Sequence, residues 1–178
     1  MAQQYTKTAI GIHWIMAILI VAAFGLGLIV GDMKFSPTTL LYISYHKWLG
    51  VTVFLFAVIR VLWRLTHPAP ALDSGLSPFE KMAANATHHL LYVLIFVAPL
   101  TGYFYSLAAG FPIVYLGIVP IPSLIGPNPE IAGLLKEVHE IAVFTMAGLV
   151  GLHVVGALKH YFIDRDGTLA RMLPFLKR

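Results

Sequence analysis

The chain has 178 residues, is 58% hydrophobic and only 11% charged, and has a mean hydropathy of +0.81. A soluble domain of this length could not cover itself with so few charges, so the composition excludes a water-soluble globule and implies an integral membrane protein, expected as one domain over residues 1–178. The absence of cysteine excludes disulfides, cysteine-held iron–sulfur clusters and a thioether-attached haem. The net charge of +4 is distributed as a membrane orientation would distribute it, which argues against a nucleic-acid surface.

Four apolar segments approach the roughly 20 residues that a helix needs to cross a bilayer. The first runs from about residue 9 to 30. A signal peptide with Lys7 as its charged region is the rival reading, but the apolar run exceeds the roughly 7–15 residues of such a segment and contains His13. The second span covers about 42–65 and ends at "RLTHPAPALDSG", where prolines stop a helix and His67 is expected in solvent. Ser77 then offers a cap, with Pro78 at the first helical position and Glu80 at the capping-box position, so the third helix is expected to begin before its span at about 88–107. The stretch "FPIVYLGIVPIPSLIGPNPE" is apolar but broken by prolines throughout, which predicts a cap lying on the bundle and excludes a fifth span. Asn128 and Pro129 reopen the helix that becomes the fourth span, about 138–162. The expected fold is therefore an all-α bundle of four transmembrane helices.

Lysine and arginine set the orientation. With the N-terminus inside, Lys7, Arg60, Arg64, Lys81, Lys159, Arg165, Arg171, Lys177 and Arg178 fall on the inner side, against Lys34, Lys47 and Lys136 outside. Both termini are expected in the cytoplasm, and an even number of spans agrees with their sharing one side.

The histidines sort by depth on these helices. His46 and His139 fall in an outer layer, and His13, His153 and the adjacent His88 and His89 fall in an inner one. His139 and His153 are 14 residues apart on one helix, which is roughly 21 Å of rise and about 40° of rotation. Imidazoles facing a bundle interior at matched depth suggest bis-histidine ligation of two stacked metal centres. Zinc would want four ligands at each depth, and no carboxylate or cysteine set is available there. Haem b suits two axial imidazoles and an apolar surround, and spacing leaves either His13 or His88 as the inner partner of His153. Gly50, one turn after His46, is expected to give a porphyrin room. A non-redox, histidine-lined membrane protein is the reading that remains if these side chains bind no haem.

The combination of "IHW" in the first span, "HKWLG…VIRVLWR" in the second, "HHLLYVLIFVAPLTGY" in the third and "KEVHE…GLH…ALKHY" in the fourth resembles the bacterial cytochrome b561 family over almost the whole chain. The resemblance implies a four-helix inner-membrane protein with two haems b, ligated by His13 and His153 on the inner side and by His46 and His139 on the outer side. It thereby chooses His13 over His88. It also implies transmembrane electron transfer, in the best-described case a superoxide oxidase that passes electrons from periplasmic superoxide to ubiquinone. Other relatives are cytochrome b subunits that connect a partner dehydrogenase or hydrogenase to quinone. Family members often carry two adjacent histidines near the end of the fourth span, where this chain has His160 followed by Tyr161.

Further residues acquire roles within that scheme. Lys47 beside His46, and Lys136 three residues before His139, are placed to steer an anionic substrate to the outer centre. Arg60 lies 14 residues after His46 and Arg64 one turn further inward, and either guanidinium suits a haem propionate. His160 lies roughly 10 Å beyond His153 toward the inner interface. It is expected to border a quinone site, with Lys159 and Tyr161 beside it.

Overall fold

The computed structural model describes residues 4–72 and 75–176. Asp73 and Ser74 of the proline-bearing linker, and Lys177 and Arg178 of the charge bias, lie outside the described residues. Four helices make the architecture: α1 (Lys7–Asp32), α2 (Pro37–Thr66), α3 (Pro78–Ala108) and α4 (Pro129–Lys159). Each is long and apolar enough to cross a membrane. Their outward faces remain apolar, with Ile18 68%, Leu65 73%, Ile141 67% and Leu152 65% exposed, which in water would be an intolerable surface and in lipid is the expected one.

Every helix begins at a side-chain cap that satisfies amide groups left over by the first turn. Thr6 Oγ1 accepts from the Ala9 amide at 3.2 Å, and Ser36 Oγ accepts from Thr39 at 3.1 Å. At α3 the expected capping box is present: Ser77 Oγ accepts from the Glu80 amide at 3.3 Å, and Glu80 accepts from the Ser77 amide at 2.9 Å. At α4, Asn128 Oδ1 accepts from Glu130 and Ile131, with Pro129 at the first position. These caps lie well outside the apolar windows, so α2, α3 and α4 are several residues longer than their lipid-crossing parts.

The helices run alternately up and down. α1 lies along α2, α2 along α3 and α3 along α4, and His13 near the start of α1 touches His153 near the end of α4, so both termini share one end of the bundle. One cluster of buried side chains joins all four helices: Ile12 and Met16 of α1, Ala57 of α2, Ile95 and Ala98 of α3, Ala142 and Met146 of α4. Its members beyond Ile12, among them Met16, Ala57 and Met146, stand between the two histidine layers as a septum.

The stretch between α3 and α4 is the expected cap, with a small hairpin in it. β1 (Val114–Tyr115) pairs antiparallel with β2 (Val119–Pro120) through Leu116 and Gly117, both left-handed at φ 54° and 72°. The cap is anchored to the bundle's flank: Trp48 Nε1 donates to Val114 O at 2.7 Å, Thr52 and Tyr115 hydroxyls meet at 2.9 Å, and Tyr103 Oη donates to Pro122 O at 2.6 Å. At the opposite end α4 runs into one π-helical turn, His160–Asp164, which ends at the left-handed Arg165. The tail then folds back, with Trp14 Nε1 donating to Met172 O at 3.0 Å and Arg171 to Ala71 O at 2.6 Å.

Candidate functional site

α4 supplies one imidazole to each layer. At the capped end the rings of His46 (α2) and His139 (α4) lie with centroids 6.2 Å apart and planes at 86°. At the terminal end His13 (α1) and His153 (α4) repeat the arrangement at 6.2 Å and 73°. His88 of α3 is also in the terminal-end layer, 5.3 Å from His153. The structure thus brings together all four histidines of the two expected pairs, and adds His88 as a third ring at one of them. His89 points away, its Nδ1 donating to Asn85 O one turn back at 2.7 Å.

The outer rings are held in one orientation. His46 Nδ1 lies 3.0 Å from the carbonyl oxygen of Ala23, and His139 Nδ1 lies 2.9 Å from that of Ala98. A carbonyl only accepts, so Nδ1 carries the proton in both and Nε2 keeps its lone pair for a ligand. Thr101 Oγ1 adds a contact at 3.3 Å to His139 Nδ1. One helical turn beyond each carbonyl stands a glycine against the ring: a Cβ on Gly27 would lie 3.1 Å from His46 Cε1, and one on Gly102 would lie 3.0 Å from His139 Cε1. Gly50, expected to give a porphyrin room, has no protein atom within 4 Å of its Cβ position. The sequence signal for these ring niches is an Ala-x3-Gly pair repeated at equal depth, Ala23 with Gly27 and Ala98 with Gly102.

The family model described as prokaryotic cytochrome b561 matches residues 4–175. The chain belongs to the prokaryotic cytochrome b561 family. It is 35% identical over 178 residues to "Cytochrome b561 homolog 2" of Escherichia coli, covering 96% of this chain and 92% of that one. "Cytochrome b561 homolog 1" of the same organism is 28% identical, with 96% and 97% covered. "Probable superoxide oxidase CybB" of Yersinia pestis is 27% identical, with 98% of each chain covered.

Cytochromes b561 bind b-type haem and transfer electrons across membranes, and the donor set fits that group. Two metal–imidazole bonds of about 2 Å each place the ring centres about 6 Å apart, since each centroid lies roughly 1 Å behind its nitrogen. The 6.2 Å pairs meet that spacing, whereas His88 and His153 at 5.3 Å are closer than two ligands on opposite faces of one ion. His13 thus stands at that spacing from His153, and His88 stands closer.

Around these rings the other expected residues fall as follows. Arg60 donates through Nε to Tyr92 Oη at 3.1 Å and lies over the Tyr92 ring, which leaves its two terminal nitrogens for a carboxylate. A small cavity of about 30 Å3 lies beside it, bordered by Ile12, Trp63, Arg64 and Tyr92 among others. His67 is exposed, but it is not simply solvated: it stacks on Trp63 at 4.0 Å with parallel rings. Lys47 donates to Phe111 O of the cap at 3.3 Å. Lys136 pairs with Glu140 at 3.4 Å, one turn along α4.

His160 sits in a cluster of charges that pattern reading did not foresee. Its Nδ1 lies 2.8 Å from Asp164 and 3.0 Å from Asp166, near enough to be polarised by both although neither carboxylate is aligned as a hydrogen-bond acceptor. Lys159 bridges Asp164 at 2.8 Å and Glu80 of α3 at 2.6 Å. Because the ammonium already occupies the Asp164 oxygen shared with His160, the group is an ion-pair cluster rather than an open cation site. It ties the start of α3 to the end of α4.

Proposed function

We propose that the chain is a di-haem superoxide:ubiquinone oxidoreductase of the bacterial inner membrane, with the capped end in the periplasm and both termini in the cytoplasm. The observation that carries the reading is the pair of 6.2 Å histidine couples, one at each end of the bundle. The excess of lysine and arginine at the terminal end supports the orientation.

Bound haem b supplies reversible one-electron redox chemistry. His46 and His139 hold the outer group and His13 and His153 the inner one, while the septum of Met16, Ala57, Ala142 and Met146 keeps water out of the space between. Arg60, steadied by Tyr92, offers its guanidinium to an inner propionate, with Arg64 one turn beyond. In the overall reaction two superoxide anions each lose one electron and leave as oxygen, and one ubiquinone gains two electrons and two protons. Lys47 draws the anion toward His46. Its bond to a neutral carbonyl leaves its charge uncompensated, whereas Glu140 offsets Lys136. His160, with Asp164 and Asp166 behind Nδ1, presents its other nitrogen as a proton donor to quinone.

A second reading is a cytochrome b subunit fed by a partner dehydrogenase or hydrogenase. The outward apolar side chains of the cap favour it, Ile118 being 79% and Leu124 71% exposed. The purified protein alone distinguishes the two. Superoxide should reduce its haems rapidly, and His46→Ala or His139→Ala should lose the outer haem and that reduction while keeping the inner haem. Reduction no faster than the uncatalysed background would leave the partner-fed reading. A purified protein without a Soret band would end both.

A further inference from the structure

The cap between α3 and α4 lies beside the histidine layer at its end of the bundle, not above it. Trp48 donates to Val114 O at 2.7 Å and the Thr52 hydroxyl meets Tyr115 at 2.9 Å, and these anchors stand two and six residues beyond His46 toward the bundle's middle. On α3, Tyr103 donates to Pro122 O and accepts from the Leu124 amide at 3.2 Å. Its neighbour Gly102 backs the His139 ring. The turn of the hairpin keeps to the same flank, since a Cβ on Gly117 would lie 3.9 Å from Trp48 Cζ2. Exposed apolar helix surface continues outward past this layer, at Leu28 and Ile29 of α1 and Leu134 of α4. The hairpin therefore shares its depth with lipid-facing helix. Its chemistry suits that depth. Residues 109–128 contain no Asp, Glu, Lys or Arg, and Leu116, Ile118 and Leu124 are exposed. Non-helical backbone at membrane depth must have its polar groups satisfied by the protein. Here Pro112, Pro120, Pro122 and Pro127 have no N–H to satisfy, and the amides of Gly117, Ile118 and Ile121 donate to the carbonyls of Val114, Tyr115 and Ile113 at 3.2, 3.0 and 2.9 Å. The prolines that forbid a fifth spanning helix thus also remove donors that lipid could not satisfy.

We propose that the cap is a membrane-embedded hairpin, whose outward face of Leu116, Ile118 and Leu124 lies against the acyl chains of the leaflet at the capped end. The inference needs neither superoxide nor quinone chemistry, and it leaves these side chains unavailable to a docking protein. Because the chain has no native cysteine, a single nitroxide label can test it in the haem-loaded protein, in vesicles of phosphatidylcholine and phosphatidylglycerol. The label is attached at Ile118→Cys and, in a second protein, at Leu124→Cys. Its relaxation is compared between dissolved oxygen, which concentrates in lipid, and a water-soluble nickel chelate, which lipid excludes. Ile18→Cys on the exposed side of α1 and Lys34→Cys between α1 and α2 calibrate the two environments. The label at Ile118→Cys should relax faster with oxygen than with the nickel chelate, at the ratio found for Ile18→Cys. Leu124→Cys should give the same ratio, and it decides the matter if the label at Ile118→Cys lowers haem content. A ratio like that of Lys34→Cys overturns the proposal, because the hairpin would then stand in water. A label reached by neither reagent overturns it as well, since a second copy or another protein would then cover the face.

Discussion

Gly27 and Gly102 stand where a methyl group would press on the imidazoles of His46 and His139. The carbonyls of Ala23 and Ala98 fix the other side of each ring, so neither imidazole can yield by rotation without losing its hydrogen bond. Gly102→Ala is therefore expected to lower outer-haem content or shift its spectrum, read as the reduced-minus-oxidised difference. Identical spectra for Gly102→Ala and the parent would show that the ring has slack. Arg60 gives a second prediction at this scale. Reduction adds negative charge to a haem, and a nearby guanidinium stabilises the reduced form, so removing it lowers the potential. Arg60→Ala should lower the inner haem's potential by about 40–60 mV, on the order of 1 kcal/mol for one electron. Tyr92→Phe should give a smaller shift in the same direction, because it loosens Arg60 without removing the charge. A potential unmoved by Arg60→Ala would make that residue a membrane anchor only.

At the scale of elements, α4 does most of the positioning. His139 and His153 come from one rigid helix, and 14 residues return the second to nearly the same face as the first. The pairs then form because α1 and α2 each bring a single imidazole to the matching depth. Beyond Lys159 the helix widens into the π turn His160–Asp164, which places the Asp164 carboxylate against His160 Nδ1. Two carboxylates beside the ring, though not aligned as its acceptors, put further acidic groups within reach of His160 for the proton relay proposed above. In protein whose haems have been reduced, ubiquinone-dependent reoxidation should slow by about a hundredfold in His160→Ala, the lower end of what a positioned acid–base group contributes. Asp164→Asn should slow it less and change its pH profile. Full haem content with an unaltered rate in His160→Ala would remove His160 from the quinone site.

For the whole molecule, the two ends differ in charge, and under the proposed function this asymmetry would direct both orientation and substrate approach. At the capped end no carboxylate pairs with Lys47 among the described residues, while Lys136 is screened by its own helix partner. Haem reduction by superoxide should slow as ionic strength rises. Lys47→Gln should lower the rate about threefold at low salt and flatten that dependence, with a smaller effect from Lys136→Gln. Parallel salt curves for the parent and Lys47→Gln would mean that the lysine serves only to hold the cap through Phe111.

Sequence alone determined the four spans, the caps at Ser77 and Asn128, the cap between α3 and α4, and the division of histidines into two layers. Each of these follows from local quantities: hydropathy over a helix length, the chemistry of first-turn amides, and a rise of about 1.5 Å per residue. Spacing left His13 and His88 as rivals, and it gave no sign that Gly27 and Gly102 back the rings of His46 and His139. Those choices turn on how each helix is rotated about its axis, and α1 and α4 are apolar on nearly every side, so no stripe in their sequences announces which face turns inward. Only the tertiary structure set Ala23 and Gly27 against His46 from 23 and 19 residues away, separated 6.2 Å from 5.3 Å around His153, and closed Asp164 and Asp166 on His160. These contacts are decided by packing between helices, where a rotation of one residue step changes every neighbour while leaving depth and hydropathy almost unchanged.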